Sequence, residues 1–333
     1  MSSIEARDVS KEFAPRSQRL SLLKEKHVTR AVDHVSISVE RGMCLGLAGE
    51  SGSGKTTLGE LLAGIQEPTS GQILFLQKDV AKLSEKEFKV LRQKVQVIPQ
   101  DPFESIDPHY TVMETVTEPL EVSIFPKAEY HQRAVRALEL AKLKPADTFL
   151  DKYPDNLSGG QRQRVAIARA LVVDPEFLIA DEPVSMLDAS VRASILNLLL
   201  NLKNELNLGL LYVSHDLSTV RYVSDMTAIM YLGRTVEIGP ASEVLRNPYH
   251  PYTKALISSV PNLDPDRKRV RVAVKDSATE PQQVHNACRY MSMCPYAQKE
   301  CNVEPPLRQV APKHSAACHF AETIQKNFTT TNK

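Results

Sequence analysis

The sequence predicts an α/β fold, and three patterns along the chain support this prediction. A short apolar run from Met43 to Ala48 is followed by a glycine-rich turn and a helical segment. Two more apolar runs, Phe177 to Ala180 and Gly209 to Val213, are typical of buried strands. An amphipathic helix from Val191 to Leu206 lies between them, and its apolar face, Ile195, Leu196, Leu199 and Leu202, is expected to be core.

A phosphate-binding loop follows the first of these strands. It comprises Gly49, Glu50, Ser51, Gly52, Ser53, Gly54, Lys55, Thr56 and Thr57, and the helix that Thr57 opens continues to Ala63. Such a turn directs backbone N–H groups and the positive end of the helix dipole at phosphate oxygens. Lys55 is predicted to reach the outer phosphates and Thr56 to coordinate Mg²⁺. The alternative is an ordinary glycine-rich turn before a helix, but such a turn would not need every residue of this loop pattern.

Two carboxylates end the second strand. Asp181 and Glu182 follow Phe177 to Ala180, which places them at the carboxyl end of the sheet, where ligands bind. Asp181 suits a magnesium shell, and Glu182 is then free to polarise an attacking water. A plain helix-capping acidic pair is the alternative, and it would be favoured if no phosphate loop were present.

A second candidate anion site precedes another predicted helix. Leu157 leads into Ser158, Gly159, Gly160 and Gln161, and the helix continues from about Arg162 to Leu171. One phosphate would not usually need two such turns in one chain.

With both turns, the sequence resembles an ATP-binding cassette (ABC) ATPase, in which this signature loop of one subunit closes over ATP held by the phosphate loop of another. The resemblance covers Ile4 to about Tyr249.

The resemblance implies roles for four more residues. Gln100, after the run Val95 to Pro99, matches the glutamine that senses magnesium and the attacking water, while its flank contacts the membrane partner. Asp188, after Ser185-Met186-Leu187, matches the loop that crosses the dimer interface. His215 matches the switch histidine at the terminal phosphate, although an isolated histidine after a strand is more often a surface or capping residue. Phe13 matches an aromatic ring that stacks on adenine, with a core position as the alternative.

The resemblance also implies an architecture: a P-loop NTPase (RecA-like) core with a β-rich N-terminal subdomain and an inserted helical subdomain. Residues 4–48 are expected to be β-rich, with strand-like alternation from Ala31 to Val39 and a polar insertion between Phe13 and Thr29. Helical spacing from Lys127 to Leu143 matches the helical subdomain at about 101–157. A hairpin from Met226 to Ile238 is predicted to turn at Gly233. The expected domains are a nucleotide-binding domain at 1–249, a helix and linker at 250–286, a small Cys-rich module at 287–320 and a tail at 321–333.

Composition narrows the class of protein. The chain has 333 residues, a net charge of +1 and 42% hydrophobic residues, which fits about two soluble globular domains. The basic run at 267–271 is short, which favours a solvated linker over a nucleic-acid surface. No apolar segment approaches the roughly eighteen residues that a membrane span needs, and the first residues do not resemble a secretion signal. We therefore expect no nucleic-acid partner. ATP use and the missing export signal indicate the cytoplasm, and the transport role that the resemblance implies would then require separate membrane subunits and a place at the cytoplasmic face of the plasma membrane.

Two segments narrow the family further. The run from His250 through Pro251, Tyr252, Thr253 and Lys254 to Leu256 predicts a helix with proline in its first turn. It is also similar to a segment of ATPases from oligopeptide, dipeptide and nickel importers, as is the stretch at 101–108. In that stretch Glu104 and Asp107 depart from the usual small or amide residues.

Four cysteines cluster near the end of the chain. Cys288, Cys294, Cys301 and Cys318 are spaced C-x5-C-x6-C-x16-C. Disulfides conflict with the reducing compartment that ATP use implies, and paired C-x2-C zinc knuckles are absent. Some of the importer ATPases resembled here ligate a 4Fe-4S cluster with such a tail, so this cluster, Zn²⁺ and unmetallated thiols are all kept as alternatives. Cys44, in the strand before the phosphate loop, is interpreted as a core residue.

The resemblance implies a function. We expect an ATPase that energises the import of di- or oligopeptides through two membrane permease subunits, with an extracellular solute-binding protein acting indirectly. A second, homologous ATPase is the expected partner, and a heterodimer is favoured over a homodimer. Importers of nickel, other metal complexes or oligosaccharides are the alternatives, followed by a soluble cassette ATPase without a transport role. Glu182 and His215 are both intact, so a degenerate, non-hydrolysing partner is disfavoured.

Overall fold

The computed structural model describes residues 3–13, 29–101, 105–123, 125–259 and 286–331, with side chains described as far as residue 326. The predicted polar insertion, segment 102–104 and the basic run at 267–271 lie outside the described residues. None of the described helices is long and apolar enough to cross a membrane.

A central sheet of eight strands positions the candidate site. Its strand order is β11-β12-β10-β9-β3-β8-β7-β6, and β9, β3, β8, β7 and β6 run parallel. A separate antiparallel sheet has the order β2-β1-β4-β5. The twelve described strands are β1 (Ser3–Phe13), β2 (Thr29–Glu40), β3 (Cys44–Ala48), β4 (Ser70–Phe75), β5 (Lys78–Asp79), β6 (Val95–Ile98), β7 (Phe177–Asp181), β8 (Gly209–Ser214), β9 (Met226–Tyr231), β10 (Arg234–Pro240), β11 (Arg308–Ala311) and β12 (His314–Ala316).

Helices cover both faces of the central sheet. The described α-helices are α1 (Lys55–Leu62), α2 (Glu85–Lys94), α3 (Val112–Thr117), α4 (Tyr130–Leu140), α5 (Asp147–Leu150), α6 (Gly159–Leu171), α7 (Ala189–Leu206), α8 (Leu217–Val223), α9 (Ala241–Arg246), α10 (Pro251–Ser259) and α11 (Ala321–Thr331). Short 3-10 turns occur at Val80–Lys82, Glu118–Val122, Lys127–Glu129, Pro154–Asn156 and Lys299–Asn302.

Strand β3 shows why the central strands have apolar sequences. All five of its residues are buried, because strands covered by helices on both faces expose neither set of side chains. Cys44 and Ala48 join one hydrophobic cluster, whereas Leu45 and Leu47 join the cluster on the opposite face. The core position of Cys44 is thereby confirmed. The predicted apolar face of α7 is also core, since Ile195, Leu196, Leu199 and Leu202 are each at most 5% exposed.

The predicted β-rich and helical regions are both present. Residues 3–48 contribute three strands, and the described part of 105–156 contains only short helices and turns. Between Lys127 and Leu143 the helix is shorter than its pattern, because a 3-10 turn precedes α4 and Ala141 ends it. The hairpin of β9 and β10 turns at Leu232-Gly233, both with positive φ, which suits a two-residue turn between antiparallel strands.

The cysteine-rich region is joined to the central sheet. Strand β12 pairs with β10, so that Glu237 lies opposite Ala316 and Ile238 opposite Ser315. The sequence pattern did not reveal this pairing, because β12 has only three residues and therefore no recognisable alternation.

Candidate nucleotide-binding site

The phosphate loop connects β3 to α1, as predicted. Gly54, the residue before α1, has φ +99°, and a Cβ there would lie 2.0 Å from the carbonyl oxygen of Ala31. Gly52 has φ +78°, but a Cβ there would meet no atom within 4 Å. Glycine is therefore required at Gly54 by both conformation and contact, and at Gly52 by conformation. The open space beside Gly52 is where the backbone can approach a phosphate.

Lys55 is folded back onto the loop. It is 5% exposed, and its Nζ donates to the carbonyl oxygens of Gly49 at 2.8 Å and Glu50 at 2.7 Å and to the hydroxyl of Ser53 at 3.3 Å. Burial lowers the pKa of Lys55, and the carboxylates of Glu182 and Asp181 oppose that shift. These two carbonyl oxygens and the hydroxyl satisfy the buried ammonium group.

Asp181 and Thr56 have the chemistry of a magnesium site. The Thr56 side chain lies beside the Asp181 carboxylate, and one oxygen of that carboxylate, Oδ1, is buried without a hydrogen-bond partner. Burial raises the pKa of Asp181. An unsatisfied buried carboxylate oxygen is costly, and a divalent cation would satisfy it. Mg²⁺ typically takes only one or two protein oxygens and completes its shell with water and phosphate, so this donor set fits.

Glu182 lies between the other two predicted catalytic residues. Its Oε1 is 2.9 Å from Nδ1 of His215, and its Oε2 accepts a hydrogen bond from Nε2 of Gln100 at 3.3 Å. The three residues meet because β6, β7 and β8 are adjacent and parallel, so that Ile98 pairs with Ala180 and Asp181 with Val213. Their carboxyl ends, and the residues that follow, therefore share one edge of the sheet.

The backbone of Glu182 is strained. Its φ is +43°, a left-handed conformation that residues other than glycine rarely adopt, and its N–H donates to the carbonyl of Val213 at 2.9 Å. Strain of this kind concentrates at functional sites, where the surrounding structure enforces it. Here it turns the Glu182 side chain towards Gln100 and His215.

The second predicted anion site begins helix α6. Ser158 caps this helix: its hydroxyl accepts from the N–H of Gln161 at 3.3 Å, and its own N–H donates to Gln161 Oε1 at 2.9 Å. Gly160 packs against α7, since a Cβ there would lie 2.5 Å from Val191. Gly159 has more room, with Leu187 at 3.8 Å from such a Cβ. The glycines thus bring the signature turn close to the segment that contains Asp188.

The other two predicted site residues, Asp188 and Phe13, lie at the start of a helix and at the end of a strand. The Asp188 carboxylate caps α7 by accepting from the N–H groups of Ser190 and Val191, both at 3.1 Å. Phe13 is 41% exposed at the end of β1, and the ammonium of Lys11 lies 5.4 Å from its ring centroid. The exposure of Phe13 rules out the core alternative, while its contact with adenine stays a prediction.

The four clustered cysteines line one small cavity. Cys288, Cys294, Cys301 and Cys318 surround a space of about 10 Å³, enough for roughly one water molecule. Burial raises the pKa of Cys288 to about 12 and that of Cys318 to about 11. Among the described residues, no group of three or more His, Cys, Asp or Glu side chains is arranged to hold a metal ion. Four thiols are nevertheless a donor set that suits a soft metal ion or an iron–sulfur cluster.

Sequence reasoning missed one residue at the phosphate loop. The N–H of Glu50 donates to the hydroxyl of Tyr252 at 3.0 Å, and Tyr252 lies 202 positions after Glu50 in the chain. The importer-like segment at 250–256 was the signal that could have drawn attention to Tyr252. Nothing in its spacing, however, indicated contact with the loop.

Comparisons with known proteins agree with this geometry. Residues 32–185 match the ABC transporter family, and residues 236–301 match the oligopeptide/dipeptide transporter C-terminal region. A putative peptide import ATP-binding protein of Brucella ovis is 42% identical over 95% of this chain and 96% of its own length. The oligopeptide transport ATP-binding protein AppF of Bacillus subtilis is 41% identical over 95% of this chain and 97% of its own. A solved dimer of the ATP-binding cassette MJ0796, in a post-hydrolysis state with ADP and Pi, superposes with a TM-score of 0.61 at 27% identity, covering 72% of this chain and 98% of that one.

Proposed function

Because this chain belongs to the ABC transporter family of ATPases, we propose that it hydrolyses ATP to energise the import of di- or oligopeptides through separate membrane subunits. Two independent features support the two halves of this proposal. The catalytic geometry supports hydrolysis, and the match of residues 236–301 to the oligopeptide/dipeptide C-terminal region supports the class of transporter.

The placement of Glu182 is the observation that carries the proposed hydrolysis. One of its carboxylate oxygens is held by Gln100 and the other by His215, beside the phosphate loop. A carboxylate oriented in this way can accept a proton from a water aligned with the terminal phosphate. Gln100 orients the same carboxylate from the opposite side, and His215, whose side chain is 58% exposed, is accessible to the γ-phosphate.

The remaining residues bind and orient the nucleotide. Lys55 exchanges its carbonyl partners for the outer phosphate oxygens, and loop N–H groups surround the inner ones. Mg²⁺, when bound, neutralises charge on the phosphates, and Thr56, Asp181 and Gln100 are the residues that would hold it. The exposed ring of Phe13 offers a stacking face for adenine.

A second ATPase subunit would complete the pocket. Ser158, Gly159, Gly160 and Gln161 form a capped helix N-terminus, which offers N–H groups to the nucleotide of a partner. We propose that the partner is a homologous cassette ATPase and that ATP hydrolysis drives transport through two permease subunits. The protein would then lie at the cytoplasmic face of the plasma membrane. A solute-binding protein would supply the cargo from the other side.

The Glu182→Gln variant tests this proposal. Replacing the carboxylate by an amide removes the general base and keeps the shape, so we expect ATP affinity to be retained and turnover to fall by at least about 100-fold. Glu205→Gln, an exposed change on α7, is the matched control. Near-normal hydrolysis by Glu182→Gln would refute the assignment of the base.

Transport is tested with the membrane subunits that co-purify with the chain. Reconstituted vesicles should accumulate labelled di- or oligopeptides in an ATP-dependent manner. Accumulation of nickel complexes or oligosaccharides instead would overturn the proposed cargo but not the ATPase.

We also propose that the four cysteines around this cavity ligate a metal, either a 4Fe-4S cluster or Zn²⁺. The support is the donor set itself, four cysteines around one cavity. Anaerobically purified protein should contain iron and show broad absorbance towards the blue end of the visible spectrum, or should contain zinc by elemental analysis. Cys294→Ser should lose the metal and Cys44→Ala, outside the cavity, should keep it; wild-type protein with neither metal would refute the proposal.

A further inference from the structure

Tyr252 is buried between the nucleotide site and the cysteine-rich region. It is 1% exposed and lies in the first turn of α10, where Pro251, Thr253 and Lys254 are also buried. Its N–H donates to Nδ1 of His250 at 3.1 Å, which fixes the start of the helix. The side chain of Tyr252 therefore has a well-defined direction, towards the phosphate loop.

Tyr252 and Lys55 hold the same peptide group. The carbonyl of Gly49 accepts from Lys55 Nζ at 2.8 Å, and the N–H of that same peptide, on Glu50, donates to the Tyr252 hydroxyl at 3.0 Å. When Lys55 moves to the phosphates of ATP, this peptide loses the ammonium from its oxygen. The bond to Tyr252 does not involve Lys55, so it can keep the peptide in orientation as the loop takes up its ligand.

The hydroxyl of Tyr252 is positioned by a cluster of three tyrosine rings. The Tyr252 ring centroid lies 4.4 Å from that of Tyr231 and 5.5 Å from that of Tyr290, and Tyr231 and Tyr290 are 5.4 Å apart. Tyr231 ends β9, next to the strand that leads into the loop. Tyr290 is 3% exposed and belongs to the cysteine-rich region, between Cys288 and Cys294. Close-packed rings transmit a displacement, because such interiors have little free volume.

We propose that Tyr252 is a positioning residue of the phosphate loop, and that the cysteine-rich region keeps it in place through the ring of Tyr290. The inference rests on the proposed function, since it assigns a role in ATP binding. Under this proposal, the cysteine-rich region directly affects the affinity of the phosphate loop for ATP.

The experiment measures ATP affinity of the full chain by calorimetry in the presence of Mg²⁺. Tyr252→Phe removes one hydroxyl and keeps the ring packing. We expect the Kd for ATP to rise about three- to tenfold, as for the loss of one neutral hydrogen bond, with the kcat of the assembled transporter changed less than about twofold. Tyr249→Phe is the control: it removes a hydroxyl from the same segment, on a ring that packs against His314 instead.

Tyr290 is tested in combination with Tyr252. Tyr290→Leu should also raise the Kd for ATP, whereas Tyr290→Phe, which keeps the ring, should not. If Tyr290 acts through the Tyr252 hydroxyl, Tyr290→Leu should have no further effect in the Tyr252→Phe background. Additive effects would refute the second half of the proposal.

The outcomes separate this inference from the proposed function. Wild-type protein that does not bind ATP would refute the proposed function. Wild-type binding with unchanged affinity in Tyr252→Phe, or an equal loss in Tyr249→Phe, would refute the role of Tyr252 alone.

Discussion

His215 Nδ1 lies 2.9 Å from Glu182 Oε1, although 33 residues separate them in the chain. The two side chains extend from the ends of adjacent parallel strands, so the sheet register fixes the contact. This relationship makes His215 the natural partner of Glu182, the proposed base, and it can be tested directly.

His215→Ala should lower kcat by at least about 100-fold, because Glu182 loses one of the two groups that orient it. Affinity for ATP should change little, since the phosphate loop is untouched. Steady-state ATPase assays and nucleotide titrations check the two expectations. His131→Ala, an exposed change on α4, should behave like wild type; comparable losses in both variants would contradict the prediction.

Gly54→Ala and Gly52→Ala should separate stability from binding. At Gly54 the new methyl would meet the Ala31 carbonyl, so the loop must shift and the midpoint of thermal unfolding should fall. At Gly52 no atom lies within 4 Å, so the cost is mainly the left-handed conformation, about 1 kcal/mol. The Gly52 methyl would still occupy space that the phosphate needs, and ATP binding should be lost. A Gly52→Ala protein with normal ATP affinity would show that phosphate does not approach there.

Ser158→Ala should abolish most ATPase activity of the assembled transporter without affecting ATP binding by the isolated chain. The reason is that Ser158 is proposed to act on the nucleotide of the partner subunit. Ser84→Ala is a matched control, because Ser84 forms the same capping box with Glu87 on α2. Both variants should lose about 1 kcal/mol of stability through the lost cap, and only Ser158→Ala should lose activity.

Asp33→Asn should destabilise the fold by about 3 kcal/mol. Asp33 is 1% exposed, and its carboxylate pairs with Arg234 at 3.1 Å and with the buried Arg289 of the cysteine-rich region. Removing one partner of a buried pair leaves the opposite charge uncompensated. Denaturant titrations should show the loss, whereas Asp8→Asn, whose carboxylate is 72% exposed, should change stability by less than about 0.5 kcal/mol.

The ion pairs of Asp33 with Arg289 and Arg234 also make the stability of the fold depend on pH. Burial alone would raise the pKa of Asp33, but Arg289 and Arg234 outweigh it and hold this pKa below its ordinary value of 3.8. The unfolded chain therefore binds the proton more readily, and the stability from this pair is complete above about pH 4 and lost as pH falls further. Thermal unfolding between pH 3 and 6 should show a shallower acid loss in Asp33→Asn than in wild type.

The sequence predicted the parts of the site that are encoded locally. The phosphate loop, the carboxylates after β7 and the capped turn before α6 each depend on a strand end or helix start within a few residues. Glycine, proline and capping residues specify such geometry directly, so pattern alone was sufficient. The family resemblance then predicted catalytic roles for Gln100 and His215, and the structure brings both side chains to Glu182, a contact that was not predicted.

Only the tertiary structure decided how the end of the chain meets the nucleotide site. The Tyr252 hydroxyl reaches Glu50 across 202 residues, Arg289 reaches Asp33 across 256, and the three-residue β12 extends the central sheet. No local sequence pattern encodes such contacts, because the secondary-structure propensity of a tyrosine or an arginine does not depend on which distant residue it contacts. These contacts form only when distant segments pack together, and the register of the paired strands determines which residues then meet.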